Sequence, residues 1–390
     1  MSLNQADTGP SPDQRRRGFW QLFLGAPRSR QGHMDALDGL RGLAVLIVIA
    51  SHMAFRGLNV VPGMVMAGVG KSGVYLFFVL SSFLLTRIWL RREPKGFAEP
   101  RLWADYALRR VLRIWPLYLV VLLLSWGLTM AGFGGWPYQL DTGAFLQHLA
   151  LREGQSVLWS IPVEFKFYLW LPLLALGLAV TGHRRWPLLA EALALAAVLA
   201  WATWTWPPSE TAGNDVRLGP YLALFLCGAF AARLDQRLEG KQGRHAWAWG
   251  LAGVAALLAF VVTLPEVWVG LAGLEPARNV NHRWFLFFAL VWSCLLLSVL
   301  HGPRWLRAPF SWAPVRLVGV VSFSAYLWHL AVLDGLDALG ARSWPLGTLV
   351  ALVVVTLASM ASFLLFERPW QGIRVRQTSR AAGTREPEPT

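Results

Sequence analysis

Charged residues are scarce in this 390-residue chain, at 15%, where a soluble domain carries about 25%. That shortfall excludes an ordinary water-soluble fold. Cysteine is nearly absent. Cys227 and Cys294 each sit inside an apolar run, without metal-ligand spacing and too few for a disulfide framework. No His-Glu-x-x-His segment occurs, and no metal is expected. There is no internal repeat, and no soluble domain of useful size is expected before or after the apolar region. Arg15, Arg16 and Arg17 precede a short stretch from Gly18 to Ala26. It is too short and too aromatic for a signal peptide and reads as an interfacial segment.

What the chain does have is apolar sequence. Hydrophobic residues make up 55% of it, gathered in runs of about 17–22 residues, the length that crosses a roughly 30 Å hydrocarbon layer at about 1.5 Å per residue. Candidate spans fall near 39–56, 70–90, 113–132, 159–180, 187–206, 218–234, 246–264, 284–301, 315–333 and 346–366. The expected fold is all-α, a polytopic membrane helix bundle with about ten transmembrane helices. Residues 1–34 form a basic tail, 35–370 the transmembrane domain, and 371–390 a second tail expected to lack structure.

The net charge of +14 does not signal a nucleic-acid partner, because the basic residues lie between apolar runs rather than on a soluble face. About 28 of the 36 Lys and Arg residues fall on one side of the spans. The other side holds Arg56, Lys71, Arg152, Arg217, Arg278, Arg283 and Arg342, while Lys166 lies within a span and has no evident role. The positive-inside rule then puts both termini in the cytoplasm, with the lipid bilayer as the surrounding partner. Trp159, Trp206 and Trp284 stand at run ends, as interfacial anchors do.

Four segments carry chemistry. The first span opens Asp38-Gly39-Leu40-Arg41-Gly42 and reaches His52. Arg41 and His52, eleven positions apart, fall within about 20° of one another on a helix and about 16 Å apart along it. Ionisable groups inside a membrane usually face a cavity, although a snorkelling arginine and a packed histidine read equally well. The second segment, Arg109 to Tyr118, places Arg110 and Arg113 on one helical face. Their guanidiniums suit a phosphorylated ligand, a lipid headgroup or topology signalling. In the third, Trp159 to Tyr168, Glu164 lies at a depth close to that of His52. It could orient the imidazole or pair with Lys166. The fourth, Val321 to His329, sets Tyr326 and His329 on one face, either touching substrate or packing. Together the cations lie toward the inner end, and the histidines and carboxylate toward the outer. That polarity fits a phosphate-bearing donor from the cytoplasm and a hydroxyl acceptor activated by a histidine base.

These segments together resemble the acyltransferase 3 family of bacterial integral-membrane O-acyltransferases. The resemblance covers roughly residues 35–370. It rests on Asp38-Gly39-Leu40-Arg41-Gly42 with the Arg41–His52 spacing, Phe77-Phe78-Val79-Leu80-Ser81, Arg110-x-x-Arg113, Trp159-Ser160 to Glu164, Tyr326-Leu327-Trp328-His329, and Phe366-Glu367-Arg368-Pro369. The family implies a multi-pass protein of the bacterial inner membrane. It implies transfer of an acyl group, acetyl by default, from cytoplasmic acyl-CoA to a hydroxyl of a carbohydrate or glycolipid. Carried over, His52 is the acid/base. Glu164 is its partner or an acceptor-site group. Arg41, Arg110 and Arg113 contact the donor phosphates, and Ser81, Tyr326 and His329 contact substrate. The chain departs from the family at Ser81-Ser82, where Ser-Gly is common, and at Phe165-Lys166, where a second acid and Gln are common. The esterase-like C-terminal domain of some members is not expected, because only about 20 residues follow Pro369. A transporter or flippase for a lipid-linked or acylated substrate is the alternative, since intramembrane Arg, His and Glu also mark transport paths. Against it, no paired halves with matching broken helices are visible.

Overall fold

The computed structural model describes residues 32–373, apart from 63, 93–96, 98, 184, 186, 241–242, 244 and 274–279. The readings for the tail through residue 31, including the interfacial segment, and for the tail from 374 onward lie outside the described residues. The helices are α1 (Gly32–Ala54), α2 (Gly70–Leu90), α3 (Pro100–Met130), α4 (Thr142–Leu149), α5 (Ser160–His183), α6 (Leu188–Thr205) and α7 (Leu222–Leu238). They continue as α8 (Ala246–Val262), α9 (Pro265–Ala272), α10 (Phe285–His301), α11 (Arg304–Ser311), α12 (Ala313–Val320), α13 (Ser322–Ala338) and α14 (Gly347–Ser362). The described residues form no β-strand beyond one isolated bridge, Val61 to Met64.

Among the described residues, six helices are long and apolar enough to cross a membrane, or up to nine if each bent pair counts as one span. The expected figure of about ten differs from the upper figure by one span, and a polytopic helical bundle fits. The missing span, 218–234, is α7, only 17 residues long and carrying Arg233, Asp235 and Arg237 in its last turns. Hydropathy matters less there because α7 is packed against α2 and α10 rather than facing lipid. Three bends occur, and only the last falls inside an expected span, 315–333; the other two lie at or beyond the ends of 246–264 and 284–301. α8 and α9 meet at 88°, α10 and α11 at 103°, and α12 and α13 at 81°. Pro265 opens α9 and Pro303 precedes α11, where a ring without an N–H cannot continue the preceding helix. The expected span 113–132 starts earlier, at Pro100, so Arg110 and Arg113 lie inside α3 rather than at its entrance.

α1 and α2 form the centre of the bundle. Their most apolar windows are 72% buried, against 11% for α6 at the periphery. Glycine makes the central contacts possible. A Cβ on Gly39 would fall 1.8 Å from the Phe310 carbonyl oxygen, and one on Gly319 equally close to that of Asp38. In the Asp38-Gly39-Leu40-Arg41-Gly42 segment the glycines therefore let α1 touch the backbones of α11 and α12, which aims Arg41 inward. Where the family commonly has Gly after Ser81, Ser82 donates a 2.5 Å hydrogen bond to the Phe225 carbonyl of α7. The close approach is supplied from the opposite side instead: a Cβ on Gly228 would meet Val79 O at 2.5 Å and Ser82 Cβ at 3.0 Å.

Aromatic stacking joins α2, α5 and α7, with Phe225 lying 4.0 Å from Phe167 and 4.7 Å from Phe78 between ring centroids. At the arginine-rich end, Asp235 of α7 forms ion pairs with Arg87 of α2 at 2.9 Å and with His301 of α10 at 3.0 Å. Arg233 forks onto Glu191 of α6, with both side chains buried.

Candidate active site

Among the cavities that the described residues leave, two are lined by residues marked in the sequence. The first, about 60 Å³, is lined by Arg41 of α1, Ser81 of α2, Arg113 of α3, Ser160, Glu164 and Tyr168 of α5, and Tyr326 of α13. The second, about 180 Å³, is lined by His52, Lys71, Ser156, Trp159, Asn214 and again Tyr326. Val74 and Tyr326 line both. Arg41 and His52, on one face of α1, thus open into two chambers that share a wall.

Tyr326 is fixed in that wall. Its hydroxyl donates to the Val157 carbonyl at 2.5 Å and accepts from Ser160 Oγ at 3.0 Å. Val157 belongs to the 3₁₀ turn Ser156–Trp159 that leads into α5. The phenol therefore bridges α13 to the start of α5, with one of its partners lining each chamber.

In the arginine-lined chamber, Ser81 Oγ and the Tyr168 hydroxyl both donate to Glu164 Oε1, at 2.6 and 2.5 Å. Arg41 Nη1 lies 3.3 Å from Asp38 Oδ1. Arg113 lines the chamber beside Arg41, but Arg110 does not. Its guanidinium instead stacks over the rings of Tyr106 and Tyr168, at 5.9 and 5.8 Å from their centroids. Three residues along a helix is about 300°, not a full turn, so the two arginines share a side without sharing a chamber. A cation over an aromatic face gains electrostatically from the ring quadrupole, and here it braces Tyr168 from behind.

In the other chamber, His52 does not meet Glu164. Its Nδ1 lies 3.0 Å from the Val48 carbonyl and 3.1 Å from His329 Nε2. Equal depth does not fix which way a side chain points around its helix, and Glu164 faces Ser81 and Tyr168 instead. The position expected for a carboxylate partner is taken by His329. That ring is completely buried, and its Nδ1 lies 2.8 and 3.1 Å from the carbonyl oxygens of Tyr326 and Ala325. Carbonyls only accept, so in the neutral ring Nδ1 carries the proton and Nε2 is bare. His52 Nδ1–H then donates to His329 Nε2 and Val48 O. Its own Nε2 is left as a free lone pair on a residue that lines the chamber.

Of the residues marked in the sequence, Arg41, Ser81, Arg113, Glu164 and Tyr326 come together in one chamber, and His52 reaches the other. His329 stands behind His52 and Arg110 behind Tyr168. Ser160 and Tyr168 had not been singled out, although each lies four residues from Glu164 and so on its helical face. Lys166 Nζ donates at 2.7 Å to the Val216 carbonyl. It thereby anchors the loop that carries Asn214. The chain-end segment is structural in geometry: buried Glu367 accepts a 2.5 Å hydrogen bond from Ser324 and ties the last turn to α13.

The profile of the acyltransferase 3 family, described as an acyltransferase domain, matches residues 34–366. The chain belongs to the acyltransferase 3 family. This acyltransferase 3 protein is 25% identical to the peptidoglycan O-acetyltransferase OatA of Listeria monocytogenes, over 78% of the chain and 50% of the relative. It is 27% identical to a Komagataeibacter xylinus protein, BcsY, named as a candidate membrane-bound transacylase, over 93% of the chain and 88% of the relative. A Bacillus subtilis protein, YrhL, named as a candidate peptidoglycan O-acetyltransferase, matches at 25%, over 77% of the chain and 49% of the relative. The acyltransferase 3 chain thus spans about half the length of the two relatives named for peptidoglycan. No solved structure matches significantly. With its membrane-length helices and bacterial relatives, it is a multi-pass protein of a bacterial inner membrane.

Proposed function

We propose that this protein is an O-acyltransferase that moves an acyl group, acetyl by default, from cytoplasmic acyl-CoA to a hydroxyl of a carbohydrate or glycolipid. The observation that carries this reading is the pair of chambers meeting at Val74 and Tyr326, with guanidiniums lining one and an imidazole lining the other. The arginine-rich end faces the cytoplasm on this reading, by the positive-inside rule.

Arg41 and Arg113 bind the donor phosphates, where a guanidinium fork matches phosphate oxygens. Arg110 supports them indirectly by bracing Tyr168. Glu164, held by Ser81 and Tyr168, lines the same chamber as the two arginines and offsets their charge. The inner chamber is too small for a whole coenzyme. Only the pantetheine arm extends toward the wall, and Tyr326 must give way for the thioester to reach His52.

At the far side, His52 Nε2 takes the proton of the acceptor hydroxyl as that oxygen attacks the thioester carbonyl. The tetrahedral intermediate collapses, the C–S bond breaks, and the coenzyme A thiolate leaves with the proton returned from the imidazolium. The products are an ester and free coenzyme A. His329 holds the His52 tautomer through both proton transfers. It acts through another group and is a positioning residue.

Purified protein in liposomes, supplied with acyl-labelled acyl-CoA and saccharide, should release free thiol in step with label in the saccharide fraction. Movement of labelled donor across the bilayer with the thioester intact would instead establish transport and overturn the acyltransferase reading.

A further inference from the structure

The chamber lined by His52 also holds a lysine. Lys71 is the second residue of α2, half-buried, and lines the cavity together with His52, Ser156, Trp159 and Asn214. Its ammonium lies over the Trp159 ring, 5.5 Å from the centroid. A Cβ on Gly213 would sit 3.6 Å from Nζ, which puts the charge beneath the loop that carries Asn214.

Three observations make this end of the chamber electropositive. First, among the described residues Lys71 has no carboxylate within ion-pair distance. Asp215 of the neighbouring loop is already engaged by Arg217, which reaches both its oxygens, at 2.6 Å from Nη2 to Oδ2. Second, no Asp or Glu lines the cavity. Third, Gly70 and Lys71 begin α2, and its N-cap, Val69, offers no side-chain acceptor, so the positive end of the helix dipole adds to the lysine charge. The field extends to the neighbouring rim, where burial, followed by the Lys71 and Arg283 cations, pushes the His282 imidazole down to about 4.

A half-buried ammonium resting on an indole, in a cavity without a carboxylate, favours a ligand that brings a negative charge. We propose that the His52 chamber is the acceptor site for an acidic saccharide, whose anionic substituent pairs with Lys71 while a hydroxyl is presented to His52. This rests on the O-acyltransferase reading for the identity of the chamber, and it adds that the acceptor is charged.

The test is binding of three probes to the whole chain in nanodiscs, by equilibrium dialysis: a galacturonic acid trisaccharide, its neutral galactose counterpart, and the 6-phosphate of the neutral sugar. At least one of the two acidic probes should bind roughly tenfold or more tightly than the neutral one, the size of a single charge-assisted hydrogen bond. Which acidic probe it is separates a carboxylate from a phosphate. Lys71→Met, close in shape, should bring the acidic-to-neutral ratio near unity, and Lys71→Arg should restore it. Equal binding of acidic and neutral sugars, or a ratio that survives in Lys71→Met, overturns the proposal. Acyl transfer is followed on the same preparations. Transfer without charge preference refutes the acidic acceptor and leaves the transferase reading standing. Charge-selective binding without any acyl transfer does the reverse.

Discussion

The two histidines at the acceptor chamber are in direct contact, yet their replacement should have very different consequences. His329→Gln removes at most one neutral hydrogen bond from His52 Nδ1. The Val48 carbonyl, 3.0 Å away, remains to hold the same tautomer. A net loss of about 0.5–1.5 kcal/mol corresponds to a fall in kcat of roughly 2–12-fold. His52→Gln removes the base itself, and positioned acid–base groups contribute roughly 10²–10⁴-fold. The assay is thiol release at saturating acyl-CoA and acceptor in liposomes, with thermal melting to confirm that each variant is folded. Because His329 is fully buried, a lower melting temperature is expected for its variant, so the comparison must be made on folded protein. Two folded variants with equally deep losses in kcat would refute the assignment of His52 as base and His329 as support.

Further outcomes follow from the same geometry. Arg113→Ala should raise the KM for acyl-CoA by roughly 10–150-fold, the range for one lost charged hydrogen bond. Arg110→Ala, which loses ring stacking worth about 0.5–1 kcal/mol per contact, should raise it less; initial rates against donor concentration decide. Gly39→Val should fail to yield folded protein by size-exclusion chromatography, because the added carbon meets the Phe310 backbone, which cannot swing aside as a side chain could. Arg233→Met leaves Glu191 buried without its partner, at a cost of about 3–5 kcal/mol. The double variant with Glu191→Leu should recover most of the lost melting temperature.

The positions of the helices were legible because apolar runs of membrane length leave few alternatives. All ten expected spans coincide with helices, although α7 is too short and too polar to qualify by hydropathy. The Arg41–His52 spacing was readable since both sit on one regular helix. Relations between helices were not. Nothing along the chain states that His329 of α13 stands behind His52 of α1, or that Glu164 turns toward Ser81, because rotation of one helix against another is set by contacts such as Gly39 on Phe310 and Gly319 on Asp38. The bend between α12 and α13 was hidden too, since no proline marks Val321. Lys71 was counted among loop cations because only the folded chamber brings it beside His52.

Val74 and Tyr326 line both chambers and so form the wall between them. On the transferase reading, coenzyme A is confined to the cytosol while the saccharide waits outside, so the molecule must let through two carbons while sealing the bilayer against protons and ions. A phenol pinned at its tip to the Val157 carbonyl and Ser160 suits both demands on that reading, since it stands between the chambers and two hydrogen bonds hold its tip in place. On that reading one phenolic side chain, larger than the two-carbon group it lets pass, preserves the membrane potential.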